Sequence, residues 1–151
     1  MSENSDVECP LCLDDGGLVI ARAAVYRIVL PQEPMFPGFT RVISTVHARE
    51  LTDLEPADRH VLMAAVYAVE SAMRAILAPL KINVASRPPV FSARSPSVVP
   101  HVHWHIIPRW ADDSHFPRPV WAEALRPSSG RTLDSAQSDL LIQEILKRLE
   151  A

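Results

Sequence analysis

Three of the chain's six histidines fall within nine residues, HVHWHIIPR at 101–109, each separated from the next by one apolar residue. In an extended strand, side chains i, i+2 and i+4 point to the same side. His101, His103 and His105 then line one face, while Val102, Trp104 and Ile106 fill the other. Imidazoles grouped in this way offer three kinds of chemistry. They can be structural hydrogen-bonding groups, or bind a cation through neutral ring nitrogens. They can also attack phosphorus, where a covalent phospho-histidine divides one hard displacement into two easier ones. A period-two triplet beside an apolar alternation argues against the purely structural role and leaves the other two open.

The second chemical group is Cys9-Pro10-Leu11-Cys12, which holds both cysteines of the chain. Two cysteines cannot form a disulfide framework. In a reducing compartment, C-x-x-C is half of a zinc site or a redox pair. Redox pairs of the thioredoxin type follow a strand and open a helix. This one follows a polar segment and precedes the first predicted strand, which favours metal.

The elements that must carry these groups follow from hydrophobic patterning. LVIARAA (18–24) and VYRIVLP (25–31) predict a first hairpin, QEPMFPG (32–38) a loop, and FTRVISTV (39–46) a strand. Thr52 or Asp53 is the expected cap of a helix that Pro56 opens. From there to Ala78, Val61, Leu62, Ala65, Val66, Val69, Ala72, Met73, Ile76 and Leu77 form one broad stripe, and Pro79 stops it. KINVAS (81–86) predicts a short strand, RPPVFSARSPS (87–97) a loop, and VVPHVHWHIIP (98–108) the histidine strand. An irregular segment with two tryptophans follows. Residues 132–151 predict an amphipathic helix with Leu140, Leu141, Ile145, Leu146 and Leu149 on one side. Strands clustered around one long helix, without regular alternation, predict an α+β fold with a mostly antiparallel sheet.

The whole chain bounds the function. Its 151 residues suit one domain, and an apolar content of 48% excludes a disordered chain. A formal charge of −3 lacks the basic footprint of a duplex nucleic-acid binder. The polar start, MSENSDVECP, lacks the pattern of a secretory signal, and the apolar runs fall short of a membrane span. A cytoplasmic location, with neither duplex nucleic acid nor membrane as partner, is the expectation.

The run His101-Val102-His103-Trp104-His105-Ile106-Ile107 matches His-φ-His-φ-His-φ-φ, with φ apolar, and so resembles the signature of the histidine triad (HIT) family. Pro108-Arg109, Pro37-Gly38 and His47 add to the match. Cys9 to Cys12, Asp15-Gly16-Gly17, and the run Asp112-Asp113-Ser114-His115-Phe116-Pro117-Arg118-Pro119-Val120-Trp121 resemble the bacterial CxxC-containing branch, similar to diadenosine polyphosphate hydrolases. The resemblance covers roughly residues 9–121. It implies a HIT-like fold of about five strands with one long helix and a C-terminal helix, in a homodimer. The expected division is a tail at 1–8, a HIT domain at 9–126, and a linker with the final helix at 127–151.

The resemblance also implies roles. His103 is the nucleophile at the α-phosphorus, and His105 contacts the phosphate or the bridging atom. The substrate is a nucleotide or dinucleoside polyphosphate, or a phosphoramidate, and no metal is needed at the phosphorus. A structural zinc takes Cys9, Cys12, His47 and His101. Family members place Gly-Gln or Gly-Asn just before the triad, whereas Pro96-Ser97-Val98-Val99-Pro100 stands here. Ser97 is the candidate for one of the missing hydrogen bonds, and Pro96 has no N–H to give. A binding module with an impaired phosphate loop is therefore the alternative to a hydrolase or nucleotidyltransferase. A metal-dependent hydrolase with all three histidines as ligands is a third reading. Gln32 and Glu33 stand where the family holds ribose, and Phe36 and Phe39 are candidate walls for a base, with core the expected place of Phe39. His60 is expected on an exposed helix face and His115 on the surface or a pocket rim.

Overall fold

Two hydrophobic periods build the molecule, and the histidines lie on the sheet face turned away from where they meet. The computed structural model describes residues 9–86 and 101–150. The expected tail at 1–8, the loop at 87–97 and Ser97 lie outside the described residues. The elements run α1 (Pro10–Leu13), β1 (Leu18–Arg22), β2 (Tyr26–Leu30), β3 (Thr40–Ser44), a 3-10 turn (Leu51–Asp53), α2 (Pro56–Leu77), β4 (Lys81–Ala85), β5 (His103–Arg109) and α3 (Ser135–Leu149). The five strands form one antiparallel sheet in the order β1-β2-β3-β5-β4. The expected α+β architecture is present.

The register assigns each residue to a face. Ile28 pairs with Val42 and Val42 with Trp104. This row, together with Ile106, meets Leu62, Val66, Val69 and Met73 of α2 in the main core. Burying each such aliphatic side chain contributes about 1.5–3 kcal/mol, so this layer holds the sheet flat against the helix. By length and composition α2 could cross a membrane, against the expectation that the apolar runs fall short of a span. Its apolar content has a closer explanation, since its stripe is the inner face of this core. Leu141 and Ile145 of α3 enter the same core.

Three local expectations change. The cap of α2 is Glu55, without a side-chain hydrogen bond. Asp53 instead forms a capping box with Glu50 around the 3-10 turn, because an intervening turn moves the helix start past its reach. On α3, Leu140 and Leu146 are exposed while Leu141 and Ile145 are buried, so the helix buries a narrower stripe than its leucines suggest. His101 falls just outside β5, in a bend. The ladder reaches past the strand through Ser44 N–H to Val102 O (3.0 Å) and Val102 N–H to Ala48 O (2.8 Å), which fixes His101 all the same.

Gly38 is needed for the entry to β3. Its φ is +87°, and a Cβ there would lie 2.9 Å from Leu77 and 3.1 Å from Pro108. Only glycine combines that backbone with so close an approach.

Candidate functional site

The outer face of the sheet carries a row of polar side chains between two apolar clusters. On β3 it presents Phe39, Arg41 and Ile43 in turn; on β5 it presents Ile107, His105 and His103. Arg41 pairs with His105 and Ile43 with His103. Ile43 belongs to a cluster with Cys9, Leu11 and Val29. Phe39 and Ile107 belong to another with Phe36 and Val120. Arg41, His103 and His105 are thus the polar middle of an otherwise apolar face.

At one end of this row four ligand atoms converge. Cys9, Cys12, His47 and His101 offer one donor each, all within 4.8 Å of one another. Local structure explains the approach. Cys9 caps α1, and the turn Cys12 N–H to Cys9 O (3.1 Å) brings both sulfurs to one side. Arg27 of β2 pins that turn by donating to the carbonyls of Leu11 (2.7 Å), Asp15 (2.9 Å) and Asp14 (3.0 Å). His47 arrives in the segment after β3 and His101 from the bend before β5.

The distances test whether this set suits a cation. Tetrahedral zinc with ordinary bond lengths separates its nitrogen ligands by about 3.3 Å and sulfur from nitrogen by about 3.6 Å. The His101 and His47 Nδ1 atoms are 3.3 Å apart. The sulfur–nitrogen distances are 3.1 Å for Cys12–His47, 3.4 Å for Cys12–His101 and 3.5 Å for Cys9–His101. His101 Nε2 lies 2.7 Å from the Ser44 carbonyl. Nε2 must donate there, so Nδ1 keeps its lone pair toward the cluster, the arrangement a ligating imidazole requires. The donor set and its spacing suit a metal ion.

The remaining two histidines are set apart from this cluster. His103 Nδ1 is 2.5 Å from the His101 carbonyl. It therefore donates its proton there, and Nε2 carries the lone pair. Among the described residues nothing hydrogen-bonds that Nε2. Burial holds His103 below the ordinary imidazole range, aided by Arg41 and His101 and opposed by its backbone hydrogen bond. His105 lies against His103, ring centres 5.0 Å apart, and against Phe39 at 5.1 Å. Burial first, then His103 and Arg41, push it down to about 2. Among the described residues its Nε2 is buried without a hydrogen-bond partner. Both rings are therefore neutral near pH 7, and His103 presents an unprotonated Nε2 beside a second imidazole.

Sequence reasoning missed two parts of the site. One is Arg41. Its signal was a cation at the centre of FTRVISTV, in phase with Phe39 and Ile43. The other is the clasp at the far end of β5. Arg109 is 1% exposed. It donates to Asp113 through Nε (2.6 Å) and Nη2 (2.9 Å), to Asn83 Oδ1 (2.7 Å) and to the Arg118 carbonyl (2.8 Å). Asp113 also accepts from the N–H groups of His115 (2.9 Å) and Phe116 (2.6 Å). Burial alone would raise the Asp113 carboxyl; the Arg109 and backbone hydrogen bonds outweigh it and hold it low. His115 is buried, not on the surface, with Nδ1 2.7 Å from Ser114 Oγ and its ring 5.4 Å from Phe36. The clasp folds residues 110–126 over the Phe39 end and walls the row. His60 is exposed as expected.

A cavity of about 460 Å³ lies beside this face, lined among others by Gln32, Glu33, Phe36, Phe39, Leu133 and Ile142. Among the described residues no histidine of the triplet lines it. Phe39 and Phe36 are shared between cavity and site wall, and both are buried.

Comparison with known proteins agrees with this arrangement. The HIT domain model matches residues 17–112. A Mycobacterium tuberculosis protein named AP-4-A phosphorylase is 30% identical over 109 residues, 72% of this chain and 55% of the relative. The chain thus spans about half the length of the curated relatives it matches. Among solved structures, a histidine triad protein from Bradyrhizobium japonicum superposes with a TM-score of 0.66 at 22% identity, covering 91% of this chain and 93% of its own. A Zn-bound histidine triad family protein from Mycobacterium smegmatis superposes at 0.61 with 22% identity, covering 94% and 96%. At such identities these structures establish a shared fold. The domain match spans more than half of the chain, and together with the mycobacterial relative it makes this chain a member of the HIT domain family.

Proposed function

We propose that the protein transfers a nucleotidyl group through His103. The observation that carries this reading is the His103 Nδ1 contact with the His101 carbonyl at 2.5 Å. It fixes one tautomer, aims the Nε2 lone pair outward, and costs no deprotonation because the ring is already neutral. Nε2 attacks the α-phosphorus of a dinucleoside polyphosphate. A P–N bond forms, and the bond to the bridging oxygen breaks with its electron pair. His105, beside His103, holds the phosphate or that bridging oxygen. An acceptor then displaces Nε2 and leaves with the nucleotidyl group. With water as acceptor the product is a nucleoside monophosphate; with inorganic phosphate it is a diphosphate. The name of the mycobacterial relative supports phosphate as an acceptor to be tested. We favour water, in line with the resemblance to hydrolases.

Zinc is the cation we assign to Cys9, Cys12, His47 and His101. When bound it supplies a structural cross-link between the N-terminal turn, the segment after β3 and the start of β5. His101 then serves twice: its ring holds the metal side and its carbonyl orients His103. The homodimer expected from the family belongs to the same proposal, and light scattering checks it.

The sequence before the triad favours one competing reading. Pro96 and the absence of the Gly-Gln pair motivate a module that binds nucleotide without turnover. Incubation with diadenosine tetraphosphate, with and without inorganic phosphate, separates the readings. Adenosine monophosphate without added phosphate, abolished by His103→Asn, is the expected result. Adenosine diphosphate formed only with phosphate would replace hydrolysis by phosphorolysis. Binding without products would replace both by the binding module.

A further inference from the structure

Arg41 is a cation in a place that offers it little. It sits on β3, a central strand of the sheet, directly opposite His105. Among the described residues its Nε is buried with no hydrogen-bond partner, and its side chain makes one hydrogen bond, from Nη1 to the Gly16 carbonyl at a long 3.4 Å. Among the described residues it has no ion pair. Its guanidinium lies 5.3 Å from the centre of the Phe39 ring, the same ring that packs on His105. A guanidinium presents five donors and stays charged. Burying one with an orphaned donor is costly unless something compensates. The other orphaned nitrogen in this row, His105 Nε2, is on the residue it pairs with. Two unsatisfied buried nitrogens at facing positions leave room for one partner common to both.

We propose that Arg41 is a phosphate-binding residue, which pairs with a non-bridging oxygen of the substrate's phosphate beside His105. This rests on the reading of the histidine row as a nucleotide site. The charge and planar fork of Arg41 then supply electrostatic stabilisation that the segment before the triad, with Pro96, supplies less well. An anion is preferred over a neutral acceptor because, among the described residues, the guanidinium has no ion pair and only the charge of Glu33, outside ion-pair distance, favours it.

The test uses the full chain in a His103→Asn background, so that nothing turns over, with calorimetric titration of adenosine monophosphate and of adenosine. Arg41→Gln is expected to weaken monophosphate binding roughly tenfold to a hundredfold, the worth of one or two charge-assisted hydrogen bonds, and to leave adenosine unchanged. Arg41→Lys should recover part of the loss. Arg41→Leu should raise the Tm without ligand, because it removes a half-buried cation that no ion pair holds among the described residues, and abolish the Tm rise that monophosphate produces. Equal weakening of both ligands, full binding by Arg41→Gln, or a lowered Tm in Arg41→Leu would each overturn the proposal. If the Arg41-containing protein binds neither ligand, the nucleotide reading itself fails, and this proposal with it.

Discussion

Replacing Asp113 by alanine tests whether the Arg109 clasp holds the wall of the site. The substitution removes two charge-assisted hydrogen bonds of 2.6 and 2.9 Å from a guanidinium that is 1% exposed. It also strips the His115 and Phe116 N–H groups of their acceptor. Among the described residues Arg109 keeps only the neutral oxygens of Asn83 and Arg118. Breaking a buried pair from one side costs about 3–5 kcal/mol. For a chain of this size each kcal/mol moves Tm by about 2–4 °C, so the expected drop is roughly 6–20 °C. Arg109→Met with Asp113→Ala removes the stranded charge as well, and should lose clearly less than the sum of the two single variants. Thermal unfolding by calorimetry of all four proteins reads the coupling. The sign with pH is fixed too. The Asp113 carboxyl is held below its unfolded value, so its stabilisation is present above pH ~4 and is lost as pH falls through the lowered value. A Tm shift under about 2 °C, or strict additivity, would refute the clasp.

Other predictions follow from the same geometry. Purified protein should carry about one zinc per chain, and His47→Ala or Cys12→Ala should carry little; metal analysis reads this directly, and full loading of either variant would remove the four-ligand assignment. Chelation should lower Tm and slow adduct formation on His103 together, since His101 holds both. The neutral, buried His105 makes stability acid-sensitive. Its folded value of about 2 lies below the unfolded ~6.5, so its contribution is complete above ~6.5 and declines as pH falls toward 2. Between pH 7 and 5 this amounts to about 2 kcal/mol. His105→Phe should lose that part of the slope in denaturant titrations, and an unchanged slope would contradict the burial argument.

How much of this was legible in the sequence depends on the range of each interaction. The histidine faces were readable because strand geometry has a strict period of two, and Val102, Trp104 and Ile106 fixed the phase. The long helix was readable from Leu62 to Met73 because one buried stripe dominates it. The convergence of Cys9 and His101 was not a matter of period. It needs the sheet order, which places β3 beside β5, and only the family resemblance supplied it. Arg41 was passed over because a lone cation in a strand is ordinarily an exposed residue. The clue lay in its phase with Phe39 and Ile43. The clasp was invisible as physics: Asp113 and Arg109 lie four apart, a spacing that pairs residues on a helix, yet here one ends a strand and the other begins a loop. The cap at Thr52 or Asp53 failed because a 3-10 turn took Asp53 first. Ser97 and the loop at 87–97 lie outside the described residues.

The central claim is that His103 Nε2 forms a bond to phosphorus. Intact-protein mass spectrometry after brief incubation with diadenosine tetraphosphate, quenched at mildly alkaline pH to preserve an acid-labile P–N bond, tests it most directly. The account predicts an adenylyl adduct in the parent protein that is absent from His103→Asn and maps to the peptide holding residues 101–109. Turnover with no adduct at any time point, or undiminished turnover by His103→Asn, would contradict it.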